Sequence, residues 1–484
     1  MSKYEHGIIS SEVATQIAKP ATIESAIGVV IGTAPVNLLS NPYGAVNVPI
    51  LISNFNEAAE KIGFTYDFKN YTICQSIYSR FVVFKMSPLV VINVLDPAKH
   101  KTDIADAAFT VANGKISIDA QGILLDKVAV KSSDGANAYI AEEDYIASFT
   151  EEGTVTITII PDGAIGSAAD LKVGYTVIDP TQVTNMDVIG GYDTETRKRS
   201  GLECVSMVQP SLGLVPCQLL APGWSHIPTV AAMLNAKAKL INGLFNAVSV
   251  TDIDTETVTS IEELLEYKIN NGYDDKYNIP CYPKVIINGY EMYLSAIIDC
   301  VIASTDNING GPYASPSNKL INIDGTCLEG GEEIYFDINE ANDINAAGIM
   351  TALNLNGWRS WGNEMGCFPD NTDVKDRFIV CRRVYNYQDN TFKLNFFDRV
   401  DDPTNYKLIE AIVNSENLIL ATLASQGSIA GGSLSFSKDD NPVENILDGH
   451  IIFKRKLSPF TPAKVIETVT EFDPTLNSAA LGGE

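Results

Sequence analysis

The sequence predicts a mixed α/β, multidomain fold: an α/β core with an inserted small antiparallel β-domain, an α+β C-terminal domain, and extended strand-forming arms at both ends. Three observations predict it. Two-sided apolar runs such as IGVVIGTAP and SPLVVINVLDP alternate with amphipathic helical patterns, as in an α/β layer. Residues 99–184 interrupt that alternation with a different texture, containing no Cys, Met, Trp or Arg. The chain then nearly ends on KVIETVTEFDPTL, a strand pattern where most domains fray.

The elements follow in order. Residues 1–20 form a polar, strand-leaning N-terminal arm that ends at Pro20. The core occupies 21–98 and 185–369. Ile27 to Pro35 is a buried strand, apolar on both faces. SNFNEAAEKIG is a short helix with Ser53 or Asn54 as cap and Gly63 beyond its end. In NYTICQSIYSRFVVF, apolar residues recur at three- and four-residue spacing, which predicts an amphipathic helix. Within 99–184, the runs GKISID, KVAVKS, TVTITII and YTVID, separated by DG and EG turns, predict an exposed antiparallel insertion carrying little of the core. The core pattern then resumes. PTVAAMLNAKAKLINGLF is a helix with Pro228 near its start, and NAVSVTDID is a strand. SIEELLEYKINNG is a helix with Ser260 at its cap and Glu263 three residues on. From 370 to 460 two long helical patterns precede two strands, GGSLSFSKDDNP and DGHIIFKRKLSP. Residues 461–484 are the C-terminal arm. SPFTPAK, with two prolines, reads as a spacer and not a hairpin turn, so the final strand has no sequence-adjacent partner for its backbone groups.

Composition narrows the function. At 484 residues the chain exceeds one ordinary core. Hydrophobic content of 45% and charged content of 19% describe a soluble globular protein. A net charge of −26 argues against direct nucleic-acid binding, which needs a basic footprint. The eight cysteines show no C-x-x-C spacing and read as free thiols in a reducing compartment. Four scattered histidines give no metal site. The start, MSKYEHGIISSEV, lacks a signal-peptide pattern, and no run of about 18 consecutive apolar residues appears. Synthesis in the cytoplasm without membrane insertion is the expectation.

Chemistry is sparse. The phosphate-loop, nucleophile-elbow, H-E-x-x-H and G-x-G-x-x-G motifs are all missing, so neither a catalytic residue nor a cofactor site is expected. The Gly28-x-x-x-Gly32 pair, inside a strand, reads as close backbone packing. ASTDNINGG (303–311) has the wrong spacing for calcium and reads as a polar loop. Asp252 and Asp254 read as solvated carboxylates at a strand end. Asn70-Tyr71-Thr72 matches a glycosylation pattern by chance. GWRSWGNE is the densest local signal: either a core corner whose indole N–H groups find backbone partners, or an aromatic ligand platform at Trp358 and Trp361. Charge placement adds one more feature. Phe453 to Lys464 holds four basic residues and no acid, so the C-terminal block has the least acidic surface.

Four segments in order resemble the contractile tail sheath family of bacteriophages and related bacteriocin and injection devices. They are YEHGIISSEVATQI with IGVVIGTAP, NYTICQSIYSRFVVFKMSPLVVINVLDPAKH, GGPYASPSNKLI, and LNLNGWRSWGNEMGCFP. The resemblance spans roughly 4–100 and 190–472; the insertion lies outside it. It implies a non-enzymatic subunit that stacks as hexameric rings, a helical polymer around an inner tail tube protein, with baseplate and tail terminator proteins as further partners. On a baseplate signal the sheath contracts and drives the tube through a target envelope. It also implies that terminal arms join neighbours by completing shared β-sheets. The arm residues are then Ile8, Ile9, Val13 and Ile17 at one end, and Val465, Ile466, Thr468, Val469, Thr470 and Phe472 at the other. The C-terminal block faces the tube, with Arg382, Arg383, Lys393, Arg399, Lys454, Arg455 and Lys456 as candidate contacts, and the insertion faces outward. Such a protein resides in a virion tail or phage-tail-like particle. Two alternatives stand beside it: an α/β enzyme with a ligand-sized pocket near Trp358 and Trp361, and a surface adhesin whose insertion is immunoglobulin-like.

Overall fold

The computed structural model describes residues 24–480. The N-terminal arm residues Ile8, Ile9, Val13 and Ile17 lie outside them. At the centre is a six-stranded sheet in the spatial order Asn278–Cys281, Val248–Asp252, Gln218–Leu220, Gly28–Gly32, Leu89–Asn93 and Pro49–Ile52. All its neighbours run parallel except the last pair. Gly28–Gly32 and Leu89–Asn93 are buried throughout, which is why both read as two-sided apolar runs. A Cβ at Gly28 would collide with the Asp299 carboxylate, and one at Gly32 with the Thr72 hydroxyl. Close approach therefore explains the glycine spacing.

Helices cover this sheet. Asn54 caps Phe55–Lys61 by accepting from the Glu57 N–H. Ile73–Ile77 is α-helical and widens into a π-helical turn over Tyr78–Val83. That turn places Arg80 inside the molecule, 1% exposed, against Asp299 at 2.7 Å. Pro228 opens Pro228–Lys239 as expected. All eight cysteines are free, and seven are buried.

Four expectations need correction. The helix expected from Ser260 begins at Leu264, because Val258 and Leu264 sink into a core patch with Tyr273 and Ile344 and hold the intervening residues as turns. The polar loop expected at 303–311 is mostly helix. Leu294–Asn309 runs through it to Gly310, where a left-handed residue stops it. Its apolar face at Ile297, Ile298, Val301 and Ile302 is fully buried, and Asp306 is neutralised by Arg383. Asp252 is not solvated. It is 3% exposed and accepts from Ser225 Oγ (2.9 Å), Ser295 N (2.9 Å) and Ser295 Oγ (2.5 Å). Burial pushes its carboxyl up to about 6, against those hydrogen bonds. Finally, the C-terminal arm carries a helix, Pro474–Ala480, where the sequence predicts only a strand and a tail. Asp473 accepts from Thr475 N and Oγ1 just before that helix, and an Asp-Pro start followed by Ala-Ala is its signal.

Residues 101–178 form two three-stranded antiparallel sheets. One orders Lys101–Thr110, Asp170–Ile178 and Ala129–Ser132; the other orders Lys115–Ile118, Val155–Ile159 and Tyr145–Phe149. Both contribute to one shared core of Ile116, Val130, Val155, Ile157, Leu171 and Val173. The insertion thus builds a core of its own. Leu124, Ile178 and Val183 are its members in the main core. Lys101–Thr110 escapes the sequence reading because it is largely exposed and bulged between Ile104 and Ala107, so its alternation breaks. The chain enters and leaves side by side, with the Asp179 N–H donating to His100 O at 2.9 Å.

The C-terminal block packs two helices, Ile379–Phe396 and Tyr406–Ser425, with a hairpin of Gly431–Phe436 and Phe453–Ser458. Phe378, extended at φ −87° and ψ 130°, separates the first helix from a short one at Val374–Arg377. Val380, Cys381, Val384, Leu420 and Ile429 form the small core between them.

Candidate functional site

The C-terminal arm leaves the hairpin at Ser458. No strand or helix forms from Pro459 to Asp473. Val465, Ile466, Val469 and Phe472 are 81%, 89%, 87% and 76% exposed. Four large apolar side chains in open solvent, on a backbone without secondary structure, are costly for an isolated subunit. Thr468 and Thr470 lie on the same exposed stretch. Between residues 459 and 472 one hydrogen bond reaches the rest of the chain, among the described residues. Lys464 Nζ donates to Glu364 Oε1 at 2.8 Å. Glu364 is buried and is also gripped by Arg377, through Nε at 2.9 Å and Nη2 at 2.6 Å.

The first described residues are held differently. Glu24, Ser25 and Ala26 precede the central strand. Arg80 Nη2 donates to Ala26 O (2.9 Å), and Arg383 Nη2 donates to Ser25 O (3.2 Å). Ser25 Oγ donates to Asp306 (2.7 Å), and the Cys217 thiol to Glu24 O (3.3 Å). The two arginines are themselves paired with Asp299 and Asp306, and these four groups are 1–4% exposed.

The hairpin supplies a two-stranded sheet whose outer edges pair with no strand among the described residues. Asn417 bonds both the C=O and the N–H of Leu434, which caps the Gly431–Phe436 side. On the Phe453–Ser458 side the Tyr385 hydroxyl donates to Leu457 O. The helix Tyr406–Ser425 packs on the hairpin through Ile412, Glu416 and Leu420, while Tyr406 (74%) and Leu418 (71%) face solvent. By length and composition this helix is apolar enough to cross a membrane. It nevertheless buries Glu416 beside Arg455.

The candidate tube contacts divide on inspection. Arg382 and Arg383, 5% and 4% exposed, are core ion pairs with Asp376 (2.9 Å) and Asp306, so they offer no surface charge. Lys393 is half-buried and donates to Leu244 O (2.5 Å) and Asn246 Oδ1 (3.1 Å). Arg455 turns inward to Asp389, Glu416 and Gln388 O. These four are corrections: counting charges along the sequence registers sign and misses burial. Arg399, Lys454 and Lys456 remain exposed, the first two beside Asp402 and Asp440.

The tryptophan segment is a hairpin, Thr351–Asn354 with Trp358–Trp361. The Trp361 indole N–H finds a side chain, not backbone. Trp361 Nε1 donates to Asn342 Oδ1 (3.1 Å), and Trp358 stacks on Tyr335. A cavity of about 700 Å³ lies beside Trp361, lined by Ser315, Asn342, Asn363 and Glu364 and roofed by Pro462 to Val465 of the arm. Glu364 is the acid in its lining, and two cations neutralise it. Among the described residues no cluster of His, Cys, Asp and Glu is arranged to hold a metal ion.

No family model matches the chain. It is 26% identical over 489 residues to the tail sheath protein of Burkholderia phage BcepMu, covering 97% of each chain. It is 22% identical to the tail sheath protein of Escherichia phage P2, covering 64% of this chain and 74% of that one. A chain in the six-fold symmetrised baseplate structure of the anti-feeding prophage shares the fold, with a TM-score of 0.58 at 13% identity, covering 98% of this chain and 100% of that one. A chain of the PVC extracellular contractile injection system sheath complex, in the contracted state, has a TM-score of 0.57 at 14% identity, with the same coverage.

Proposed function

We propose that this chain, a homologue of phage tail sheath proteins with the fold of contractile injection sheaths, is a non-enzymatic sheath subunit. It polymerises as stacked hexameric rings around an inner tube, in a virion tail or phage-tail-like particle. Contraction of the polymer drives the tube through a target cell envelope. Baseplate and terminator proteins bound the polymer at its ends. The observation that carries this reading is the arm: Val465–Phe472 exposes four large apolar side chains and has no strand partner among the described residues, on a chain whose hairpin edges pair with no further strand among them. Such a segment is completed by adding as a strand to a neighbour's sheet.

The magnitudes suit the role. The nine residues from Lys464 to Phe472 span about 30 Å when extended. A ladder of about six hydrogen bonds at ~1 kcal/mol net each holds two subunits together while the spacer between them bends. Linkage of that kind survives a change of lattice. The energy for movement is stored in the assembled conformation, and contraction is a shift between two packings. The C-terminal block faces the tube through the exposed apolar side of Tyr406–Ser425 and through Arg399, Lys454 and Lys456. The acidic insertion faces outward.

Electron microscopy of the purified full chain tests this reading. Hollow cylinders of uniform diameter are the expected result. Monomers that stay dispersed at every concentration and turn over a substrate in the cavity beside Trp361 favour the enzyme alternative and overturn the sheath reading.

A further inference from the structure

The C-terminal arm has one polar tie to its own core, Lys464 to Glu364, among the described residues, and that tie is not needed to neutralise Glu364. Glu364 is 2% exposed and already holds a bidentate bond from Arg377. The Phe368 ring lies beneath both cations, 4.3 Å from the Arg377 guanidinium and 5.5 Å from Lys464 Nζ. Losing the lysine therefore leaves no buried charge without a partner. A buried carboxylate stripped of its last cation would be strongly destabilising, and this one keeps its arginine. The tie can form and break at low cost.

We propose that Lys464 is a positioning residue for the arm. Docked on Glu364, it fixes the point and direction from which Val465–Phe472 leaves to enter a second copy of this chain. The inference rests on the sheath reading and deepens it. Packing alone does not fix the root, because Pro462, Ala463 and Val465 roof a cavity of about 700 Å³ and do not seat on a filled surface. Nor does backbone hydrogen bonding, since Pro459 to Ala463 make none to the rest of the chain among the described residues. Without the pair of Lys464 with Glu364 the arm's tether starts at Ser458 and runs fourteen residues to Phe472; with it, eight. Effective concentration falls roughly as the −3/2 power of tether length, so the longer tether lowers it about two-fold, before any loss of direction. An ion pair whose lysine side chain is 48% exposed is also screened by salt.

The test compares the full chain with Lys464→Met, Lys464→Glu and Lys464→Arg. The critical concentration for polymerisation is read by light scattering, with cylinders verified by negative-stain microscopy. The melting temperature of the unassembled subunit is read alongside. Lys464→Met is expected to raise the critical concentration at least about two-fold, the tether-length factor, with an unchanged melting temperature. Lys464→Glu raises it further, by repulsion from Glu364, and Lys464→Arg restores it. Added salt shrinks the gap between the wild-type chain and Lys464→Met. Cylinders from Lys464→Met at the wild-type critical concentration overturn the inference alone. So does a fall in melting temperature that matches the loss of assembly, which would make the role merely structural. A wild-type chain that forms no cylinders overturns the sheath reading, and this inference with it.

Discussion

The molecule holds Glu24 to Ala26 and Lys464, the roots of its two arms, at different depths. The N-terminal root, Glu24 to Ala26, is bound by groups that are 1–4% exposed: Arg80 with Asp299, and Arg383 with Asp306. Moving it would leave guanidinium N–H groups without acceptors inside the core, at about 1–3 kcal/mol for each. The C-terminal root is bound by Lys464, whose side chain is 48% exposed, on a carboxylate that already has another partner. Glu24 to Ala26 lead into the central sheet on buried ion pairs, and the C-terminal arm leaves through a joint. On the proposed sheath reading, subunits stay connected while they rearrange, and the shallow joint is the one expected to yield.

Breaking the deep root should have the largest effect. Arg383→Met leaves Asp306 buried without its cation, so the subunit is expected to lose about 3–5 kcal/mol in urea denaturation. A loss under ~1 kcal/mol would remove the contrast between the roots. The seam of the insertion is intermediate in depth. Asp187 there, its side chain 15% exposed, meets Lys99, His100 and Thr184. Burial pushes its carboxyl up, but the hydrogen bonds from Lys99 and Thr184 outweigh that and set it at about 2. A carboxyl depressed on folding stabilises fully above its ordinary range, and that stability is lost as pH falls through about 4 towards 2. Asp187→Asn should therefore cost about 1–2 kcal/mol at neutral pH, and the cost should shrink through about pH 2 and vanish near about pH 1. A difference from wild type that stays constant across that window would show the contact is steric, not electrostatic. The shallow root should matter least to stability. Lys464→Met is expected to shift subunit stability by less than ~1 kcal/mol, read by urea denaturation. A larger loss would place the C-terminal root in the core.

Periodicity carries the parts of the fold that are buried on both faces, because they leave a residue pattern visible locally; at Val465–Phe472 it reads a strand, where the subunit by itself forms none. The short strands Pro49–Ile52, Gln218–Leu220 and Asn278–Cys281 are invisible to it, being three or four residues long with prolines within or close to them. Ion pairing is invisible for another reason. Arg383 and Asp306 are 77 residues apart, and Lys464 and Glu364 are 100 apart. A basic stretch therefore looks like surface where two arginines are core, and the spacer looks free where a lysine ties it down. The same distance hides the cavity beside Trp361, whose roof comes from the arm. The glycines of the central strand are legible, since only a close neighbour explains Gly28 and Gly32 inside a buried strand.

The central claim is that the C-terminal arm joins one subunit to the next. Negative-stain microscopy of the chain truncated after Lys464, beside the full chain at equal concentration, tests it most directly. Cylinders from the full chain, and only dispersed subunits of unchanged melting temperature from the truncated one, are the predicted result. Cylinders of normal length from the truncated chain would contradict it.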